Sequence, residues 1–206
     1  MGIRHTPGMA AELMAELAPF LAEEGIDVNN VDVPGLDTLN AAMGRAVERR
    51  ELLRFTPVGA VRQQAATILA QVAEAIQDGD TRRAAIVLDA VPPEAPDAAT
   101  VAACIGFGLG RLDEWLGGTG PEQSAPPRLR DVVKLPSGHW VGERAATDLL
   151  ALARKGRAFD SLGTVITRQG GRQVLFGTAL AVTAALQGWS GLARTPLPDL
   201  ARAQLR

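Results

Sequence analysis

Apolar side chains recur along most of the chain at steps of three and four residues, the spacing that places them on one face of an α-helix. Residues 58–76 are typical, with Val61, Ala65, Ile68 and Val72 on a single stripe. The same pattern predicts helices over residues 7–24, 39–55, 58–76, 81–88, 97–116 and 143–155. The first five of these predicted helices fit an antiparallel helical bundle.

Two segments of the second half depart from this pattern and predict β-hairpins. Residues 131–142, DVVKLPSGHWVG, contain two short apolar runs around a Pro-Ser-Gly turn. Residues 163–177, GTVITRQGGRQVLFG, contain two apolar-rich runs around a Gly-Gly pair, which suits the positive φ angles of a tight turn. An apolar helix over 177–187 and a Pro-punctuated tail over 195–206 follow. The predicted fold class is therefore mainly α, an antiparallel helical bundle followed by a smaller α+β module with one or two β-hairpins.

A stretch rich in Gly, Pro and Ser, GGTGPEQSAPP (117–127), separates two halves of opposite charge. Residues 1–120 carry 17 acidic and 9 basic side chains, a net charge of −8, and residues 121–206 carry 6 and 12, a net charge of +6. A change of composition and charge at one place indicates a domain boundary. We predict an acidic helical bundle over 1–120 and a basic α+β module over 121–206, with its hairpin near 163–177 and a C-terminal core helix. The basic half either meets an anionic partner or attracts the acidic half.

Three glycines at alternate positions in VAACIGFGLG, residues 101–110, raise the question of a nucleotide site. A dinucleotide-binding fingerprint needs Gly-x-Gly-x-x-Gly between a strand and a long helix. The position of its third glycine is Arg111, and the helical pattern continues through the glycines. We interpret Gly106 and Gly110 as one face of a helix that a neighbouring helix approaches closely. Neither a nucleotide nor any other cofactor is predicted.

Candidate catalytic and metal-ligating side chains are few. Cys104 is the only cysteine, so no disulfide can form within these residues, and it is accompanied only by His5 and His139. Nothing has metal-ligand spacing, so no metal is predicted. A Cys104–His139 pair of nucleophile and base remains open, although the sequence does not support it. The adjacent carboxylates Asp113 and Glu114 point in different directions on a helix. We name no catalytic residue.

Residues 174–193 are the one candidate for a membrane span. About 13 apolar residues precede Gln187, short of the roughly 20 that a span needs. We therefore expect a buried core helix and no membrane association. The N-terminal segment lacks the uninterrupted apolar run of a secretory signal, so a cytoplasmic location is predicted. Arg outnumbers Lys by 19 to 2, which is typical of proteins from GC-rich bacteria.

The sequence favours a non-catalytic binding protein that acts through a helical surface, on a protein partner or on a second copy of itself. One alternative is a nucleic-acid-binding or regulatory protein that uses residues 121–206, and another is an enzyme without a recognisable local motif. Arg168 and Arg172 flank the tip of the second predicted hairpin, an arrangement similar to the wing of winged DNA-binding domains. Arginines there would contact phosphates. The candidate anion-binding residues are Arg168, Arg172 and Lys134.

Overall fold

The computed structural model describes residues 9–27, 36–91, 98–117 and 141–206, and these residues form nine α-helices and no strand. The helices are α1 Met9–Glu23, α2 Leu36–Arg54, α3 Gly59–Gln77, α4 Thr81–Asp89, α5 Ala98–Leu116, α6 Glu143–Ala153, α7 Leu162–Gln169, α8 Gly171–Ala193 and α9 Leu197–Gln204. The chain divides into two compact units, which we call unit 1, Met1–Arg54, and unit 2, Phe55–Arg206.

Unit 1 contains α1 and α2, which pack on each other through a small apolar core. Its fully buried side chains are Leu17, Leu21, Ala42 and Ala46. The helices run antiparallel, because Arg45 on α2 pairs with Glu24 at the end of α1 and Arg50 pairs with Glu16 further back. The charged residues of α2 therefore do more than face solvent, since they link the two helices.

Unit 2 is built around α8, in which every residue from 174 to 186 is buried. Helices α3, α5, α6, α7 and α9 all pack against it. By length and composition α8 is also the one described helix that could cross a membrane, a test that the core helix of a soluble protein passes equally well. The cytoplasmic location remains a prediction.

Gly79 ends α3, and the residue after it caps α4. At the end of α3, Gly79 has a φ of 76°, its N–H donates to the carbonyl of Ile76, and the N–H of Asp80 donates to the carbonyl of Ala75. This is the Schellman motif, in which a left-handed residue satisfies the last carbonyls of a helix. The Asp80 carboxylate then caps α4 by accepting from the N–H of Arg83 at 2.8 Å.

The hairpin predicted near 163–177 is wrong, because these residues form α7 and the start of α8. Gly170 has a φ of 84°, but it separates two helices instead of forming the turn of a hairpin. Leu162 and Val165 are buried one turn apart, so the apolar residues before the glycines repeat with a helical period. The α+β module is therefore not present in the described residues. The predicted tail also contains a helix, α9.

The glycine-rich segment 101–110 is helical, as predicted, but the glycines have unequal roles. A Cβ added at Gly106 would lie 1.7 Å from the main-chain oxygen of Phe55, and one at Gly108 would lie 2.4 Å from the Cγ2 of Thr178 on α8. A Cβ at Gly110 would meet nothing within 4 Å. The close approach of a neighbouring helix is therefore at Gly108, and Gly110 does not contribute to it.

Residues 118–140 lie outside the described part of the chain. They include residues 131–140 of the hairpin predicted over 131–142, together with Lys134, His139 and the predicted domain boundary. Helices from both sides of that boundary, α3 to α5 and α6 to α9, contribute to the core of unit 2.

Candidate binding cleft

A cleft of about 490 Å³ lies between α3 and the C-terminal segment that contains α9. Both walls belong to unit 2. The α3 wall consists of Gly59, Arg62, Gln63, Ala66, Thr67 and Ala70, and the other wall consists of Ala201, Arg202, Leu205 and Arg206. A concavity of this size is in the range that proteins use to bind ligands.

The α3 wall is one continuous helix face, because its residues are spaced by three and one in alternation from Gly59 to Ala70. Eleven residues of helical rise make this face about 16 Å long, or about three turns. Val58 lies one turn before Arg62 on the same face and is 77% exposed. It adds one exposed apolar side chain beside the start of the cleft wall.

Small side chains create the depth of the cleft. Ala66 and Ala201 are buried, Ala70 is half-buried, and Leu205 is 2% exposed. Larger residues at the three alanines would fill the space between the helices. The base of the cleft is therefore apolar and can accept aliphatic groups from a ligand.

Two arginines hold the C-terminal wall in place. Arg62 and Arg111 both donate to the main-chain oxygen of Arg206, at 3.1 and 2.8 Å. Their guanidinium carbons each lie 5.5 Å from the centre of the Phe107 ring, which is a cation–π distance. Arg62 is thus oriented by two independent contacts before any ligand binds.

The rim of the cleft is cationic. Arg62, Arg202 and Arg206 line it, and no lining residue is acidic. Arg202 pairs with Asp199 on its own helix at 3.0 Å, and Arg62 donates to the main-chain oxygen of Arg206 at 3.1 Å. Positive charge above an apolar base favours a ligand that is both anionic and apolar.

The structure places two of the three predicted anion-binding residues away from this cleft. Arg168 is exposed near the end of α7. Arg172 is exposed at the start of α8, where it pairs with Asp89 on α4 at 2.5 Å and lies over the Phe176 ring. Their role in anion binding remains a prediction, with Arg172 already engaged within the fold.

The described residues do not assemble catalytic chemistry around the candidates from the sequence. Cys104 is fully buried, and desolvation by burial raises the pKa of its thiol from 9.0 to about 12, so the reactive thiolate is disfavoured. Asp113 accepts hydrogen bonds from the N–H groups of Ala158 and Phe159, both at 2.8 Å. This carboxylate ties α5 to the segment before α7. No three His, Cys, Asp or Glu side chains within the described ranges could hold a metal ion.

The cleft residues were missed because they are distant in sequence. Arg62 and Arg202 are 140 positions apart, and no local motif joins them. The one available signal was the helical spacing of Arg202 and Arg206 after Pro198, in a segment that we interpreted as a tail.

No protein-family model matches the chain, and neither a curated protein nor a solved structure gives a significant match.

Proposed function

We propose that this protein is a non-catalytic binding protein that recognises a protein partner through a helical surface, the cleft between α3 and α9. The observation that carries the proposal is the continuous three-turn face of α3, which opposes a second helix across an apolar base. Amphipathic helices commonly bind in such grooves, with apolar side chains at helical spacing inserted between the walls.

The shape of the surface favours a peptide segment over a compact small molecule. The α3 face is about 16 Å long, close to three helical turns of a ligand lying along it. Val58, which is 77% exposed, adds an apolar side chain at the start of α3. The nucleic-acid alternative was based on the net charge of +6 of residues 121–206 and on a hairpin tip at residues 168–172. In place of that hairpin, one helix ends at Gln169 and the next begins at Gly171.

The experiment compares two tryptophan substitutions at exposed positions of α3. Thr67→Trp places an indole in the cleft, whereas Gln64→Trp places one outside the lining residues of the same helix. Peptides are first selected against the full chain from a phage-displayed library of helix-forming sequences. Their affinities for the wild type and both variants are then measured by fluorescence anisotropy.

We expect the selected peptides to bind Thr67→Trp at least about tenfold more weakly than the wild type, a loss of about 1.4 kcal/mol. Gln64→Trp should bind them with unchanged affinity. Peptides that bind both variants as tightly as the wild type would show that the cleft is not the recognition surface.

A further inference from the structure

We infer that the segment bound in this cleft is an acidic amphipathic helix of a partner protein, with its carboxylates on Arg62, Arg202 and Arg206. This inference rests on the proposed function, because it names the chemistry of the ligand for the same cleft. It adds the charge of the bound segment, which the shape of the cleft alone does not indicate.

The first argument for an acidic ligand is the charge of the residues that line the cleft. Three of the ten lining residues are arginines and none is acidic. Arg62 donates to the main-chain oxygen of Arg206 and lies over the Phe107 ring, so its guanidinium group is held at the rim of the cleft. A ligand that approaches these guanidinium groups gains most if it presents carboxylates, which arginine can bind with two parallel hydrogen bonds.

The second argument, for an amphipathic helix, is the apolar base of the cleft. Ala66, Ala70, Ala201 and Leu205 offer no hydrogen-bonding side chain to the interior of the cleft. A polyphosphate backbone is polar along its whole length and would leave this base without an apolar partner. In a helix with leucines on one face and glutamates beside them, the leucines would pack on the apolar base while the glutamates bind the arginines of the rim.

Arg62 is the residue that we expect to determine specificity. Its contacts with Phe107 and with the oxygen of Arg206 hold the guanidinium group at the rim, so little side-chain entropy is lost when a carboxylate binds. Arg202 is a weaker candidate, because Asp199 already pairs with it at 3.0 Å.

The test uses three fluorescent 15-residue peptides that share one leucine face and carry Glu, Gln or Lys at every polar position. Affinities for the full chain are measured by anisotropy at about 50 and 200 mM salt. We expect the Glu peptide to bind at least about tenfold more tightly than the Gln peptide, and the Lys peptide most weakly. The advantage of Glu should shrink at the higher salt, because screening weakens exposed charge pairs.

Variants assign the charge effect to the cleft. Arg62→Gln should weaken the Glu peptide about tenfold and the Gln peptide much less, and Arg202→Gln should have a smaller effect in the same direction. Arg82→Gln, at an exposed position of α4 outside the lining, is the matched control and should change neither affinity. Circular dichroism verifies that each variant is folded.

The outcomes separate the two proposals. Equal affinities for the Glu and Gln peptides, both lost in Thr67→Trp, would overturn the charge inference and leave the binding function intact. Affinities for all peptides that are insensitive to Thr67→Trp would overturn both. Tighter binding of a thymidine 12-mer than of the Glu peptide, abolished by Arg62→Gln, would replace the acidic helix by a nucleic acid.

Discussion

The two compact units of this chain are held together by different means. Within the described residues, unit 1 buries four apolar side chains, and its helices are linked by hydrogen bonds of Arg45 to Glu24, Arg49 to Glu23 and Arg50 to Glu16. Unit 2 buries a far larger apolar core around thirteen consecutive residues of α8. Its ion pair between α4 and α8, Arg172–Asp89, is exposed on both sides.

This difference has consequences for stability. Apolar burial is the main favourable term in folding, and exposed ion pairs contribute at most about 1 kcal/mol each. Unit 2 should therefore respond most to changes in packing, and unit 1 to changes in charge and salt. Residues 1–54 contain no tryptophan, and Trp115 and Trp189 lie in unit 2, so tryptophan fluorescence reports on that unit, whereas circular dichroism reports on the helices of both.

The largest effect is expected from Gly177→Ala in unit 2. The new Cβ would lie 2.5 Å from the Cβ of Ala145 and 2.9 Å from the main-chain nitrogen of Ala146, so α6 and α8 would have to separate. Such overpacking should lower the free energy of unfolding by about 3 kcal/mol. Urea unfolding followed by tryptophan fluorescence measures it.

Gly110→Ala on α5 is the control for that substitution. A Cβ there meets nothing within 4 Å, and alanine favours the helix over glycine by up to about 1 kcal/mol. We expect a small stabilisation. Destabilisation by both alanines would mean that the helix crossing at Gly177 is not the cause.

The helices of unit 2 could be predicted where apolar residues recur among polar ones every three or four positions. The stripe of α3 is such a case, with Ala65, Leu69, Val72 and Ile76 buried. The pair α7 and α8 was missed because Gly170-Gly171 gives the same local signal whether it turns a hairpin or separates two helices. Whether Gly170-Gly171 turns a hairpin or separates two helices is decided by the packing of both segments in one core. The sequence around the glycines does not show that packing.

The binding cleft could not be predicted for a related reason. Its position depends on α9 packing beside α3, a long-range contact between segments about 130 residues apart. Arg168 and Arg172 were chosen because they flank a predicted hairpin turn, and two helices meet there instead, whereas Lys134 lies outside the described residues. The charge of residues 121–206 left an anionic partner as one of two possibilities, but only the tertiary contacts bring arginines and an apolar base together.

A second, intermediate effect is expected from the pH dependence of unit 2. Burial raises the pKa of the Cys104 thiol from 9.0 to about 12, so the folded state keeps its proton where the unfolded state loses it. The free energy of unfolding should fall by about 1.4 kcal/mol per pH unit as the pH rises from 9 towards 12. The chain has no tyrosine and only two lysines, so few other groups titrate in this range.

Urea unfolding at pH 8, 9, 10 and 11, followed by tryptophan fluorescence, measures this dependence. In Cys104→Ala the overall stability should be slightly lower and the alkaline slope should be lost. An equal slope in the alanine variant would show that another group is responsible.

The smallest effect is expected in unit 1, from Glu24→Gln. The Glu24 side chain is 13% exposed and accepts from Arg45 at 2.8 Å, with Arg49 3.6 Å away. Loss of its charge should destabilise α1 and α2 by about 1 kcal/mol at low salt and by less at high salt.

Glu48→Gln removes the same charge from an exposed position of α2 that has no ion pair in the described residues, so it should have little effect. Thermal unfolding by circular dichroism should detect the difference between these variants while the tryptophan transition stays in place. A tryptophan transition that moves together with the circular dichroism would show that the two units unfold as one, and the contrast between a charge-linked unit and a core-packed unit would then not extend to their stabilities.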